Sequence, residues 1–94
     1  MALEFEWDPE KAEANLGKHG VSFEEASTVF GDPLGRLAYD AEHSRGEERF
    51  VLFGRSEAGR LLAVMHAERG EAIRLISARE MTPNERKQYE EFHA

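Results

Sequence analysis

Apolar and acidic positions alternate over residues 3–7, Leu-Glu-Phe-Glu-Trp. That is the period of a strand with one covered face, and it predicts Leu3, Phe5 and Trp7 turned to the core. Asp8-Pro9 then opens a helix. Asp8 caps the free N–H groups, and Pro9 suits a first position that needs no N–H. The helix runs to about Lys18, with Gly20 as a left-handed stop. On it Ala12, Asn15, Leu16 and His19 share one face, and Lys11, Ala14, Asn15 and Lys18 a neighbouring one. Ser22-Phe23-Glu24-Glu25 is a capping box. It starts a second helix to about Phe30 that buries Phe23, Ala26, Val29 and Phe30, and Gly31-Asp32-Pro33 ends it.

From residue 36 the period becomes that of strands. Arg36 to Asp40 is a short strand, residues 41–46 a polar loop, and Glu48 to Arg55 a strong strand. Arg60 to Ala67 is almost continuously apolar, as at the centre of a sheet. Glu71 to Ala78 is the last strand. The turns at residues 56–59 and 68–70 are too short for anything but antiparallel neighbours. Thr82-Pro83-Asn84-Glu85 is a second capping box and opens a C-terminal helix to about Phe92. The expected order is β-α-α-β-β-β-β-α, a single α+β domain over residues 1–94. Helices pack on an antiparallel sheet of four to five strands.

Charge adds an asymmetry. The formal net charge is −7, which argues against indiscriminate nucleic-acid binding. Residues 1–48 carry 4 basic and 12 acidic groups, whereas residues 49–79 carry 6 Arg and 3 Glu. A guanidinium binds phosphate or carboxylate through two parallel bonds, which an ammonium does not. The chain has no cysteine, so disulfide scaffolds, thiolate metal sites and thiol nucleophiles are excluded. No apolar run is long enough to span a membrane, and residues 1–7 do not read as a signal peptide. A cytoplasmic protein is expected.

Several constellations are missing. There is no Gly-rich phosphate loop and no nucleophile elbow, and His19, His43, His66 and His93 are scattered rather than paired at metal spacing. No metal and no cofactor is expected. Three features remain. Lys11 accompanies Lys18-His19-Gly20 at the end of the first helix, where a histidine can carry protons near neutral pH. Glu48-Arg49 begins a strand. Arg74 interrupts an apolar run and is followed by Ser77 and Arg79. Simple alternation puts Arg74 on the face of Ile76, so its guanidinium needs an anion, either an internal carboxylate or a ligand phosphate. His66, Trp7 and Tyr89 read as packing residues.

The joint pattern goes further than any one feature. The opening is Phe5-x-Trp7-Asp8-x-x-Lys11-x-x-x-Asn15-x-x-Lys18-His19-Gly20-Val21-x-Phe23-x-x-Ala26-x-x-Val29-Phe30-x-Asp32. It continues with Glu48-Arg49-Phe50, Gly54, Arg74-x-Ile76-Ser77-Ala78-Arg79 and Glu85-Arg86-x-x-Tyr89. This resembles the BrnT family of toxins over nearly the whole chain. Residues 34–46 and Glu80-Met81 depart from the family's pattern, and no candidate residue falls in either stretch. The resemblance implies a RelE-like fold and the toxin half of a type II toxin–antitoxin operon, cutting RNA and stopping translation. It also implies a BrnA-like DNA-binding antitoxin as partner, in a heterotetramer of two toxins with an antitoxin dimer that reaches operator DNA only through the antitoxin.

Metal-independent RNA cleavage needs a base for the 2′-hydroxyl, positive charge on the phosphate and a proton for the leaving 5′-oxygen. The expected catalytic set is Lys11, His19, Arg49 and Arg79, with His19 the proton carrier and Glu48 the base if His19 packs away from the sheet. Arg74, Lys18 and Arg86 are the expected RNA-binding residues. Two other classes compete: a non-enzymatic protein-binding module or co-repressor, and an acidic nucleic-acid mimic built on the N-terminal half.

Overall fold

The computed structural model describes residues 3–92. β1 (Glu4–Glu6) leads into α1 (Pro9–His19), α2 (Phe23–Thr28) and a short 3-10 turn (Val29–Gly31). Then come β2 (Arg36–Tyr39), β3 (Arg49–Arg55), β4 (Leu61–Arg69), β5 (Ala72–Glu80) and α3 (Pro83–Phe92). The caps are those the sequence announces. Asp8 accepts from the Glu10 N–H at 2.9 Å, and Ser22 accepts from the Glu25 N–H at 3.0 Å. Gly20 closes α1 in the left-handed conformation at φ 68°.

The five strands form one sheet in the order β1-β5-β4-β3-β2. Strands β2 to β5 are an antiparallel meander. β1 pairs parallel with β5, Phe5 opposite Ile73, so the sheet is mixed rather than wholly antiparallel. The reason is the connection: β1 reaches β5 through two helices and three strands, a crossover long enough to permit parallel pairing. β1 itself is only three residues long. It carries Phe5 into the core, while Leu3, expected to face inward, is exposed.

α1 and α2 cover one sheet face. Val21, Phe23, Ala26 and Val29 meet Leu52, Leu62, Val64, Ile73, Leu75 and Ala78 there. Trp7 packs edge-on against Phe23, with centroids 5.9 Å apart. α3 packs at the other side of the sheet, where Tyr89 and Met81 meet Leu61 and Phe53. Gly54 lets the 3-10 turn approach β3: a Cβ there would meet Val29 Cγ1 at 2.9 Å and Asp32 Oδ2 at 3.0 Å.

Candidate active site

Strand register gathers the sheet arginines on the face opposite α1 and α2. Arg49 pairs with Ala67, and Ala67 pairs with Arg74. Directly paired residues point to the same side. Arg49 and Arg74 therefore flank a small alanine, their Cα atoms two strand spacings or about 10 Å apart. The next row on this face is Val51, Met65 and Ser77, and the one after it Phe53, Ala63 and Arg79.

Simple alternation along β5 fails at one point. The ladder slips between Met65 and His66, leaving Ile76 as an extra residue on β5. Such a bulge re-aims everything beyond it. Leu75 and Ala78 both enter the core, and Arg74 shares its face with Ser77 and Arg79, not with the core.

The arginines on this face have different surroundings. The Arg49 Nε is buried and makes no hydrogen bond; the Glu47 carboxylate lies 3.6 Å away, an ion pair only. Arg74 is half-buried, and among the described residues it has neither an ion pair nor a side-chain hydrogen bond. Glu6, its cross-strand neighbour on β1, pairs instead with Arg69 at 3.8 Å, so no internal carboxylate claims Arg74 among the described residues. Arg79 does have such a partner. Its Nη1 and Nη2 donate to the two Glu85 oxygens at 2.7 and 3.0 Å, and Nη1 also donates to the Glu80 carbonyl at 3.2 Å. These bonds hold the Glu85 carboxyl below the usual range and raise the proton affinity of Arg79 further. Arg79 is thus committed to fastening α3 to β5. Arg86 is exposed in a different cleft with Arg55, Arg60 and Glu90, near the β3–β4 turn. It is not brought to Arg49 and Arg74.

Three basic side chains of α1 form a second group. Lys11, Lys18 and His19 line an open cleft of about 220 Å³ with Ala14, Ile76 and Ser77. Asn15 places them there, a role that sequence reasoning missed. β1 pairs only with Ala72, Ile73 and Arg74, so the rest of β5 lacks a neighbouring strand on that side. Asn15 substitutes for one. Its Nδ2 donates to the Ala78 and Val21 carbonyls, both at 2.9 Å, and its Oδ1 accepts from the Ala78 N–H at 3.1 Å and the Ser77 hydroxyl at 3.2 Å. The available signal was a polar residue common to two neighbouring faces of the helix, one of them carrying Ala12. Ser77 links this cleft to the arginine face. His19 nevertheless lines the α1 cleft, not the cleft that Arg49 lines, so the expected proton carrier and phosphate clamp are not adjacent.

His66, Tyr89 and Asp32 are structural. His66 is buried between Phe30 and Phe50, and its Nδ1 donates to the Val64 carbonyl at 3.1 Å. Burial lowers its proton affinity, against the opposing effects of that carbonyl and of Glu68. The Tyr89 hydroxyl donates to Asp32 at 2.7 Å, and burial together with that carboxylate pushes the phenol up to about 12. Burial disfavours the Asp32 charge, but hydrogen bonds from Tyr89 and from the Arg55 and Leu34 N–H groups outweigh it and hold the carboxyl below its ordinary range. Among the described residues no three His, Cys, Asp or Glu side chains are grouped as around a metal ion, and no helix is long and apolar enough to cross a membrane. His93 lies outside the described residues.

Comparison with known proteins agrees with this architecture. No curated protein matches the chain. Among solved structures it is similar to the Brucella abortus ribonuclease toxin BrnT, determined at 1.1 Å resolution, with a TM-score of 0.65 and 21% identity. The match covers 86% of this chain and 99% of that one. Residues 7–85 match the family model described as the ribonuclease toxin BrnT of type II toxin–antitoxin systems, so the chain belongs to the BrnT family.

Proposed function

We propose that this chain is an endoribonuclease that cuts RNA by attack of a 2′-hydroxyl on the adjacent phosphate, with no bound metal, and leaves a 2′,3′-cyclic phosphate. The observation that carries the reading is the pair Arg49 and Arg74. Two guanidiniums stand on one sheet face across Ala67, one with a buried donor that makes no hydrogen bond and the other without any partner among the described residues. Donors of this kind suit a phosphodiester, whose oxygens gain charge as the attack proceeds. The two guanidiniums supply there the positive charge that a metal supplies elsewhere. Lys11, Lys18 and His19, at the β5 edge beside Ser77, extend the cationic surface and contact the neighbouring stretch of the strand. Arg79 positions α3, and Arg86 lies outside the reacting centre. With His19 away from Arg49, proton transfer falls to a group on the Arg49 side, where Glu48 is the nearest carboxylate in sequence.

In the cell the toxin is held by a DNA-binding antitoxin of the BrnA type, two toxins to an antitoxin dimer, in the cytoplasm. The acidic N-terminal half, with 12 acidic against 4 basic residues, supports a basic partner.

The test is RNA cleavage by Arg49→Ala and Arg74→Ala. Losing one charge-assisted contact in the transition state costs about 2–4 kcal/mol, roughly 30- to 1000-fold in rate. Both variants are expected to keep the wild-type melting midpoint. Full cleavage by either variant removes that arginine from the mechanism.

A further inference from the structure

The loop between β2 and β3 holds a histidine beside Arg49 that none of the roles above uses. Asp40 Oδ2 accepts from the His43 Nδ1 at 2.8 Å, and Asp40 Oδ1 accepts from the His43 backbone N–H at 3.3 Å. One carboxylate thus grips both ring and backbone. The loop is tied to Arg49 itself. The Asp40 N–H donates to the Arg49 carbonyl at 2.9 Å, the Arg49 N–H donates to the Ser44 hydroxyl at 2.9 Å, and that hydroxyl donates to the Asp40 carbonyl at 2.6 Å.

A carboxylate accepts only, so Nδ1 carries the hydrogen and Nε2 is the position that can take or give a proton. The His43 side chain is 60% exposed, and with Glu42, Arg45 and Arg49 it lines an open cleft of about 410 Å³. The charges around the ring are the Asp40 and Glu42 carboxylates and the Arg45 and Arg49 guanidiniums, with the Glu47 carboxylate behind Arg49 at 3.6 Å from its Nε. An exposed ion pair adds little to stability. What this one does is set the tautomer and direction of an imidazole in the same cleft as a guanidinium whose Nε makes no hydrogen bond. A base fixed by a third group, beside a cation for the reacting oxygen, is the arrangement acid–base chemistry needs. The rival groups lack it: His19 lies at the β5 edge, and Glu48 has no orienting hydrogen bond among the described residues.

We infer that His43, oriented by Asp40, is the proton carrier for cleavage at the phosphate held by Arg49. This rests on the ribonuclease reading above. The His43 Nε2 takes the 2′-hydroxyl proton as O2′ bonds to phosphorus. The P–O5′ bond breaks, O5′ leaves with a proton from water, and His43 returns its own proton to solvent. Atoms and charge balance, and the products are a 2′,3′-cyclic phosphate and a 5′-hydroxyl.

The experiment is single-turnover cleavage of a labelled mixed-sequence single-stranded oligoribonucleotide by the full chain. His43→Gln is expected to lower the rate by about 10²–10⁴-fold. It should also abolish the basic-group limb of the pH–rate profile and leave affinity for the 2′-deoxy analogue unchanged. Added imidazole should restore cleavage to His43→Gly. Asp40→Asn, a change at a positioning residue, should displace that limb along the pH axis, and the limb should survive His19→Gln and Glu48→Gln. Wild-type rate and profile in His43→Gln overturn the inference, as does a loss explained wholly by weaker binding. If wild-type protein cuts no RNA, the ribonuclease reading itself fails.

Discussion

Arg49 and Arg79 share a sheet face two rows apart and serve different ends. Glu85 occupies both terminal nitrogens of Arg79, whereas the Arg49 Nε is buried with no hydrogen bond. Arg79→Ala is therefore expected to lower the melting midpoint by releasing α3, and Arg49→Ala to lower the cleavage rate instead. Sequence marked both arginines, but it could not separate them, because the carboxylate that claims Arg79 belongs to a capping box six residues on. His43 was illegible for a related reason. It stands in a polar loop that departs from the family's pattern, and only the folded loop brings its ring to Asp40 and its cleft to Arg49. His66 is the contrary case, a buried histidine legible from its place at the end of an apolar run. Its lowered proton affinity has a sign that can be tested. The unfolded chain takes up a proton as pH falls through about 6.5, and the folded chain resists. The contribution to stability is present above that value and is lost as pH falls from it toward the folded-state value. Melting midpoints between pH 7.5 and 5.5 should thus fall less steeply for His66→Leu than for wild type. Parallel curves would show that His66 contributes no such dependence.

Among the elements, the hairpins and helix ends were legible because turns and caps act locally. The bulge at Ile76 and the parallel pairing of β1 were not, since both depend on partners distant in the chain. The consequence is concrete: alternation puts Arg74 with Ile76, and the bulge puts it with Ser77 and Arg79. The union of α1 and β5 is similar. A single Asn15 amide satisfies backbone groups that a missing strand would otherwise take. Asn15→Ala strands the Ala78 N–H and the Ala78 and Val21 carbonyls, at about 1–3 kcal/mol for each group left unsatisfied. Denaturant unfolding should register a loss of at least about 2 kcal/mol. It should also weaken RNA binding, since Lys11, Lys18 and His19 ride on this helix. A variant as stable as wild type would show that the Asn15 amide does not secure α1 to β5.

At the scale of the molecule, a net charge of −7 and an RNA substrate are reconciled by distribution. The acidic residues crowd the first half of the sequence, while β3 and β5 present arginines on the face away from α1 and α2. On the proposed reading, attraction for RNA comes from a few local cations rather than from total charge. Its salt dependence should be shallow. Arg49, Arg74, Lys11 and Lys18 as the phosphate contacts give a log–log slope of roughly −3 for single-stranded RNA, and Arg74→Ala should reduce its magnitude by about 0.7. A slope unchanged in Arg74→Ala would place the RNA elsewhere on the molecule.

The most direct measurement is the single-turnover rate of RNA cleavage in the presence of EDTA, for wild type and for the double variant Arg49→Ala, Arg74→Ala, with thermal unfolding recorded on the same samples. Cleavage by the wild type that survives EDTA and leaves 2′,3′-cyclic phosphate ends, and its loss in an equally stable double variant, is the predicted result. Cleavage by the double variant at the wild-type rate, or wild-type cleavage abolished by EDTA, would contradict it.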